Sequence, residues 1–402
     1  MKFHRVYITG AGCISANGIG LEKLLEAIRK PVSGISQIKR FDTSKLATKI
    51  AGEVDLEELS PPEIKGFGHL DRIIDSKAFL AWEAICQIVK NLPLETPLIS
   101  TVGLERVDID VLRVHRSSEK LICPEIPLLF LPGLIWQSLG FRGEVSIQSA
   151  ACAASTLAIG TAYRKIKLGI YDRAMAGGVD SLIFPYGINA FNSLAALSER
   201  NDLGSKAIAP FDKNRSGTIL GEGAAFLLLE SEKALIDSSR KPLAEIIGFG
   251  ASMDAFHPVK PRITGEDAAN SMRKALTDAN LKPSEIEYLN AHGTGTFHNE
   301  IMEYNAMKSI FGEHLKVLPV SSTKPFFGHL LTAAGAMEIC SSLSAFTHGI
   351  LPPTLNFITP DPEIPVDCIP NLPRSFFPRI IMKNSFALGG QNASIILKRP
   401  EI

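Results

Sequence analysis

The sequence predicts an α/β protein made of two similar layered halves, and three observations carry that expectation. Short β-branched or apolar runs alternate with longer helical patterns, as they do where helices cover a largely buried sheet. The chain has 402 residues, more than one hydrophobic core usually supports, so two core-forming units are expected. Two glycine turns each feed an apolar strand, Gly221-Glu-Gly-Ala-Ala-Phe-Leu-Leu-Leu-Glu230 and Gly389-Gly-Gln-Asn-Ala-Ser-Ile-Ile-Leu-Lys398, which is a weak internal duplication. A boundary near residues 231–245 divides the chain into 1–245 and 246–402.

The elements follow in order. Arg5 to Ile8 reads as a strand running into a Gly10–Gly12 turn. Leu21 to Arg29 is an amphipathic helix, with Leu21, Leu24, Leu25 and Ile28 on one face. Leu70 to Val89 is a second helix. Val145 to Ile147 is a short strand, and Ala153 to Leu168 an alanine-rich helix ended by Gly169. Arg173 to Ala176 is strand-like and leads into Gly177–Gly178. Leu330 to Met337 is a small-residue helix. Leu351 to Arg379, rich in proline and without periodicity, reads as a long ordered surface excursion.

Composition narrows the function. Hydrophobic residues make up 45% and charged residues 21%, the profile of an ordinary globular chain. Lys plus Arg and Asp plus Glu are each 42, so the basic excess expected of a nucleic-acid binder is missing. The six cysteines (13, 86, 123, 152, 340 and 368) lack CxxC spacing, which argues against a zinc site and a disulfide framework and suits a reducing cytoplasm. The opening MKFHRVYITGAG turns polar before a signal-peptide core could form. Pro127 to Trp136 is too short to span a bilayer, and such an apolar stretch could contribute to an interface.

One cysteine stands in a special place. Ser149-Ala-Ala-Cys152-Ala-Ala-Ser-Thr sets Cys152 between a short strand and a small-residue helix. Free N–H groups and the positive dipole end of a helix stabilise a thiolate there, and can receive an oxyanion. Most free cysteines are buried structural residues, and the other five receive that reading. Asn290-Ala-His292-Gly-Thr-Gly-Thr296 places a histidine at a strand-to-turn junction flanked by glycines, so its ring can protrude into a cleft. Ser321-Ser-Thr-Lys324-Pro-Phe-Phe-Gly-His329 offers a second. His4, His69, His115, His257, His298, His314 and His348 are read as structural. In Asn384-Ser-Phe386-Ala-Leu388-Gly-Gly390 the glycines permit backbone angles that aim an N–H at a cleft.

These segments resemble the β-ketoacyl-acyl-carrier-protein synthases of the thiolase superfamily, most nearly the synthase II type. Val6-Tyr-Ile-Thr-Gly-Ala-Gly12, Phe41-Asp-Thr-Ser44, Ala176-Gly-Gly178, Ala196-Leu-Ser-Glu-Arg-Asn-Asp202 and Pro210-Phe-Asp-Lys213 extend the likeness over nearly the whole chain. It implies a thiolase-like fold in αβαβα layers. It also implies a decarboxylative Claisen condensation of a Cys152-bound acyl chain with malonyl-acyl-carrier-protein. His292 and His329 would be the two neutral N–H donors to the enolate, and the backbone N–H groups of Cys152 and Leu388 the oxyanion hole. Lys324 and Glu338 match the family's lysine–glutamate pair. Thr294 and Thr296 resemble the hydroxyls that hold the pantetheine arm, and Phe191 and Phe386 match phenylalanines of the substrate site.

Such chemistry requires no metal or organic cofactor. The implied partners are acyl- and malonyl-loaded acyl carrier protein and a second subunit, in a homodimer or in a heterodimer with a related ketosynthase-like chain. An alternative reading is a non-catalytic chain-length partner, but such partners lose the cysteine. A biosynthetic thiolase needs a second cysteine where this chain has Gly389-Gly390-Gln391. Several positions depart from the family. Ala387-Leu388 stands where Gly-Phe is usual, and Phe297-His298 where a proline follows the threonine. Ser100-Thr-Val-Gly-Leu-Glu-Arg106 has one glycine, the stretch from there to 145 is short, and a docking arginine is replaced near Ala195. The departures at Leu388 and residues 100–145 point to a specialised pathway such as polyketide or polyene assembly.

Overall fold

The computed structural model describes residues 3–60, 62, 75–103 and 130–401. In chain order the first five major strands are β1 (Val6–Ser15), β2 (Leu98–Val102), β3 (Val145–Ile147), β4 (Arg173–Asp180) and β5 (Gly223–Ser231). The next five are β6 (Ala244–Met253), β7 (Tyr288–Asn290), β8 (Pro319–Ser321), β9 (Ile380–Phe386) and β10 (Gln391–Lys398). They lie in the order β8-β7-β9-β10-β6-β1-β5-β4-β2-β3. The seam is short: β1 meets β6 antiparallel through Val6–Ile246, Tyr7–Glu245 and Ile8–Ala244.

Outward from that seam the two arms have one design. β1, β5 and β4 are mutually antiparallel neighbours, and β4, β2 and β3 run parallel. β6, β10 and β9 are antiparallel, and β9, β7 and β8 run parallel. The two duplicated glycine turns feed β5 and β10, which hold equivalent places.

The principal helices are α1 (Leu21–Arg29), α2 (Ser76–Cys86), α3 (Leu131–Ser138), α4 (Ala154–Lys167) and α5 (Pro185–Ser193). They continue with α6 (Glu266–Ala279), α7 (Phe297–Phe311), α8 (Lys324–Phe327) and α9 (Ala334–His348). α4 and α9 share one core with both arms, touching residues such as Ala176 and Leu227 of one and Ile381 and Ile395 of the other. α2 and α3 cover the outer face of the first arm, and α6 and α7 that of the second. The result is five layers, αβαβα. The middle helices can pack closely because their contact is built of small residues. A Cβ at Gly335 of α9 would lie 2.0 Å from Thr156 Oγ1 of α4.

Several sequence expectations change. Strand β1 runs straight through Gly10–Gly12, with an irregularity between Ile8 and Gly10, instead of turning there. Gly12 is needed for close approach: a Cβ there would meet the Ala84 carbonyl oxygen at 2.0 Å. The helix expected over 70–89 is α2, ending at Cys86, where the Gln87 side chain caps the Cys13 backbone; residues 70–74 lie outside the described residues. Helix α9 extends to His348, well past Met337.

The apolar stretch 127–136, apart from 127–129 outside the described residues, becomes α3 and is core, with Leu131, Ile135 and Trp136 buried and Trp136 stacked on Phe141. The 351–379 excursion is not all surface. Leu355, Ile364 and Ile369 are buried, and Asp367–Cys368 adds a parallel rung to β8.

Among the described residues, Cys13, Cys86, Cys152, Cys340 and Cys368 are free thiols; Cys123, His69 and His115 lie outside them. No described helix is long and apolar enough to cross a membrane.

Candidate active site

Four segments converge from the carboxyl ends of parallel or central strands, where open α/β sheets present their functional groups. Cys152 follows β3, His292 follows β7, Lys324 and His329 follow β8, and Leu388 follows β9. Together Cys152, His292, His329, Phe386 and Leu388 line a cleft of about 280 Å³. Phe191 on α5, Thr294 and Thr296 line the same space, with the two threonine hydroxyls 2.9 Å apart. Lys324 and Glu338 lie behind the cleft, fully buried.

Cys152 occupies a single tight turn, Ala151–Ala153, that leads into α4. Ala151 has φ of 43°, a left-handed conformation that strains a residue with a side chain and that the surrounding packing must hold. The turn before α9 repeats the device at Leu331, φ 48°. His329 is fixed through its backbone, donating its N–H to Ile219 O at 2.7 Å and accepting from Gly221 N–H at 3.0 Å.

The imidazole tautomers follow from their partners. Leu331 N–H, which can only donate, lies 3.3 Å from His329 Nδ1. Nδ1 is therefore the acceptor, and the neutral ring carries its proton on Nε2, 3.1 Å from Cys152 Sγ. The Lys324 ammonium likewise lies 3.3 Å from His292 Nδ1 and also donates to the His292 carbonyl and to Glu338. His292 thus also carries its proton on Nε2. Ring centroids stand 5.5 Å apart, and the Cys152 sulfur and one nitrogen of each ring lie within 4.8 Å of one another. By spacing alone the three atoms could also take a soft metal ion.

The family models for the beta-ketoacyl synthase N-terminal and C-terminal domains match residues 116–234 and 243–358. A 3-oxoacyl-[acyl-carrier-protein] synthase 2 of Coxiella burnetii is 35% identical, covering 99% of each chain. The chain belongs to the β-ketoacyl synthase family. Members are condensing enzymes of the acyltransferase type, and the solved structures agree. The ishigamide ketosynthase/chain length factor superposes with a TM-score of 0.86 at 28% identity, covering 99% of this chain and 100% of that one. A type II PKS acyl-carrier protein in complex with its ketosynthase bound to the hexaketide gives 0.85 at 26%, with the same coverage.

The electrostatics of this cleft oppose charge on Cys152, His292 and His329 alike. Burial, followed by the Lys324 charge, pushes both histidines well below the usual imidazole range; for His292 the neighbouring ring and Lys383, and for His329 Lys383, add to this. The rings are neutral donors at neutral pH. Burial pushes the Cys152 thiol up to about 12, although Lys324 and the Leu388 N–H pull the other way. Burial thus favours an uncharged thiol beside an uncharged imidazole.

A pH prediction follows. Protonating Nδ1 would break the bonds from Leu331 and Lys324, and the lowered values put that event below the ordinary range. Carbon dioxide release from malonyl-acyl-carrier-protein is therefore expected to stay flat from about pH 8 to 6. A half-maximal loss near pH 6.5 would contradict the assignment.

Sequence reasoning missed several residues. Glu303 of α7 accepts the His292 and Gly293 N–H groups at 2.8 Å each, and Glu300 accepts that of Gly295 at 2.6 Å. These carboxylates hold the histidine loop from behind, and burial pushes Glu300 up to about 8. Their i, i+3 spacing at the start of a helix was the available signal. His257 and His298, read as structural, line the mouth of the cleft. Lys383 is fully buried on β9 beside Glu338, inside an otherwise apolar strand start.

Proposed function

We propose that the chain condenses an acyl group held on Cys152 with malonyl-acyl-carrier-protein. The acyl group passes from a carrier-protein thioester to the Cys152 sulfur, whose proton leaves with the departing carrier thiol. The malonyl thioester then loses carbon dioxide, and the electron pair left behind becomes an enolate whose oxygen faces the Nε2–H donors of His292 and His329. The enolate carbon attacks the acyl carbonyl. The oxyanion forms against the N–H groups of Cys152 and Leu388, then collapses to break the carbon–sulfur bond. The released thiolate takes a proton from water, and a 3-oxoacyl chain remains on the carrier. The observation that carries this reading is the convergence of one sulfur and two Nε2–H donors in a single cleft, with Nε2 of His329 3.1 Å from Sγ.

Lys324, paired with Glu338, orients His292, and Thr294, Thr296, Phe191 and Phe386 contact the pantetheine arm and the acyl chain. Residues 1–245 supply the nucleophile and 246–402 the histidines. The protein works in the cytoplasm as a dimer, either with itself or with a related subunit. The ketosynthase/chain length factor similarity supports the second arrangement, while the intact Cys152, His292, Lys324 and His329 oppose a purely non-catalytic role.

The natural chain is a polyketide or polyene intermediate, a reading motivated by Leu388 and the short 100–145 segment, of which 104–129 lie outside the described residues. Side-by-side assays with saturated and polyenoyl carrier proteins are expected to favour the polyenoyl chains by about tenfold in kcat/KM. Equal or better turnover of long saturated chains would reject this assignment.

A further inference from the structure

Strand β9 is central and buried, and Ile381 and Ser385 flank Lys383 on the same face of the strand. A lysine there is unexpected, because an ammonium taken out of water is unfavourable unless it is paired. The structure shows what it is paired with. Lys383 Nζ lies 2.5 Å from Glu338 Oε2, while Lys324 holds Oε1 of the same carboxylate. Nζ also donates to the Asn384 carbonyl and, at 2.6 Å, to Ser385 Oγ. Ser385 Oγ in turn lies 2.8 Å from Thr156 Oγ1, in the first turn of the nucleophile helix. Two fully buried ammonium groups therefore share one fully buried carboxylate directly behind the imidazoles.

We propose that Lys383 is a positioning residue of the condensing site: it fixes Glu338 so that Lys324 stays aimed at His292, and it adds a positive charge behind both rings. The proposal rests on the reading that His292 and His329 stabilise the enolate. The Lys383 ammonium adds positive charge on the side of the site where negative charge grows on the thioester oxygen. The same charge opposes protonation of the rings, and it acts on both. The other ionisable groups in this neighbourhood are Glu303 of α7, which faces both lysines, and Asp180, which faces Cys152.

The test compares the wild-type protein with Lys383→Met and Lys383→Arg, measuring carbon dioxide release from malonyl-acyl-carrier-protein against pH and acyl loading of Cys152 by intact mass. In Lys383→Met the release rate is expected to fall by about tenfold or more at pH 7.5, with KM little changed. Its acid limb should move up into the pH 6–8 window where the wild type is flat, because removing a positive neighbour raises the imidazoles. Acyl loading should persist, and Lys383→Arg should keep the acid limb in its wild-type place.

A Lys383→Met protein with wild-type rate and profile overturns the proposal, as does one that loses stability and rate with no movement of the acid limb. Should the methionine variant not fold, the arginine variant decides: an acid limb displaced upward there overturns the proposal, and an unmoved one supports it. A wild-type protein that neither loads acyl groups nor releases carbon dioxide overturns the functional reading itself.

Discussion

Cys152→Ala is expected to lower condensation by about a thousandfold or more, because among the described residues it removes the thiol that lines the cleft. The described cysteines other than Cys152 do not line that cleft. Decarboxylation should survive in the same variant, since the donors of His292 and His329 do not depend on the sulfur. Radiolabelled carbon dioxide release and 3-oxoacyl product, measured in one reaction, separate the two steps. Loss of both in a folded protein would mean that the sulfur also helps to bind or activate malonyl.

Glu338→Gln is the second large effect, and it bears first on stability. Glu338 bridges Lys324 and Lys383, and all three side chains are essentially inaccessible to water. Neutralising the bridge leaves two buried ammonium groups side by side, and breaking a buried ion pair in this way costs about 3–5 kcal/mol. Chemical denaturation should show that loss, and condensation should fall with it as Lys324 loses the partner that aims it at His292. A variant as stable as the parent would contradict the shared buried ion pair.

The sequence singled out Cys152, His292 and His329 because each lies in a local motif of glycines or small residues, and the resemblance added Lys324 and Glu338; the structure brings all five together. The duplicated layering was legible for the same reason, since glycine turns repeat before β5 and β10. What the sequence concealed depends on distances between remote segments. Gly10 and Gly12 read as a turn, yet Gly12 serves the close packing of β1 against α2, which no local pattern records. The apolar run at 127–136 read as a contributor to an interface, and the cover of its 131–136 part by Phe141 and the strands of the first arm could not be seen.

The burial of Lys383 was invisible. Its counter-charge is 45 positions away on α9, and a lysine in a strand ordinarily reaches solvent. The burial of the Cys152 thiol was equally hidden, because it is set by the whole cleft and not by the helix terminus that the sequence displays.

Acyl transfer to residue 152 offers the most direct trial of the account. Intact-protein and peptide mass spectrometry after incubation with a panel of acyl carrier proteins should find one acyl increment per chain, on the peptide holding Cys152. That increment should disappear when malonyl-acyl-carrier-protein is added and a 3-oxoacyl product forms. An increment on another residue, or a loaded Cys152 that malonyl-acyl-carrier-protein fails to discharge, would contradict it.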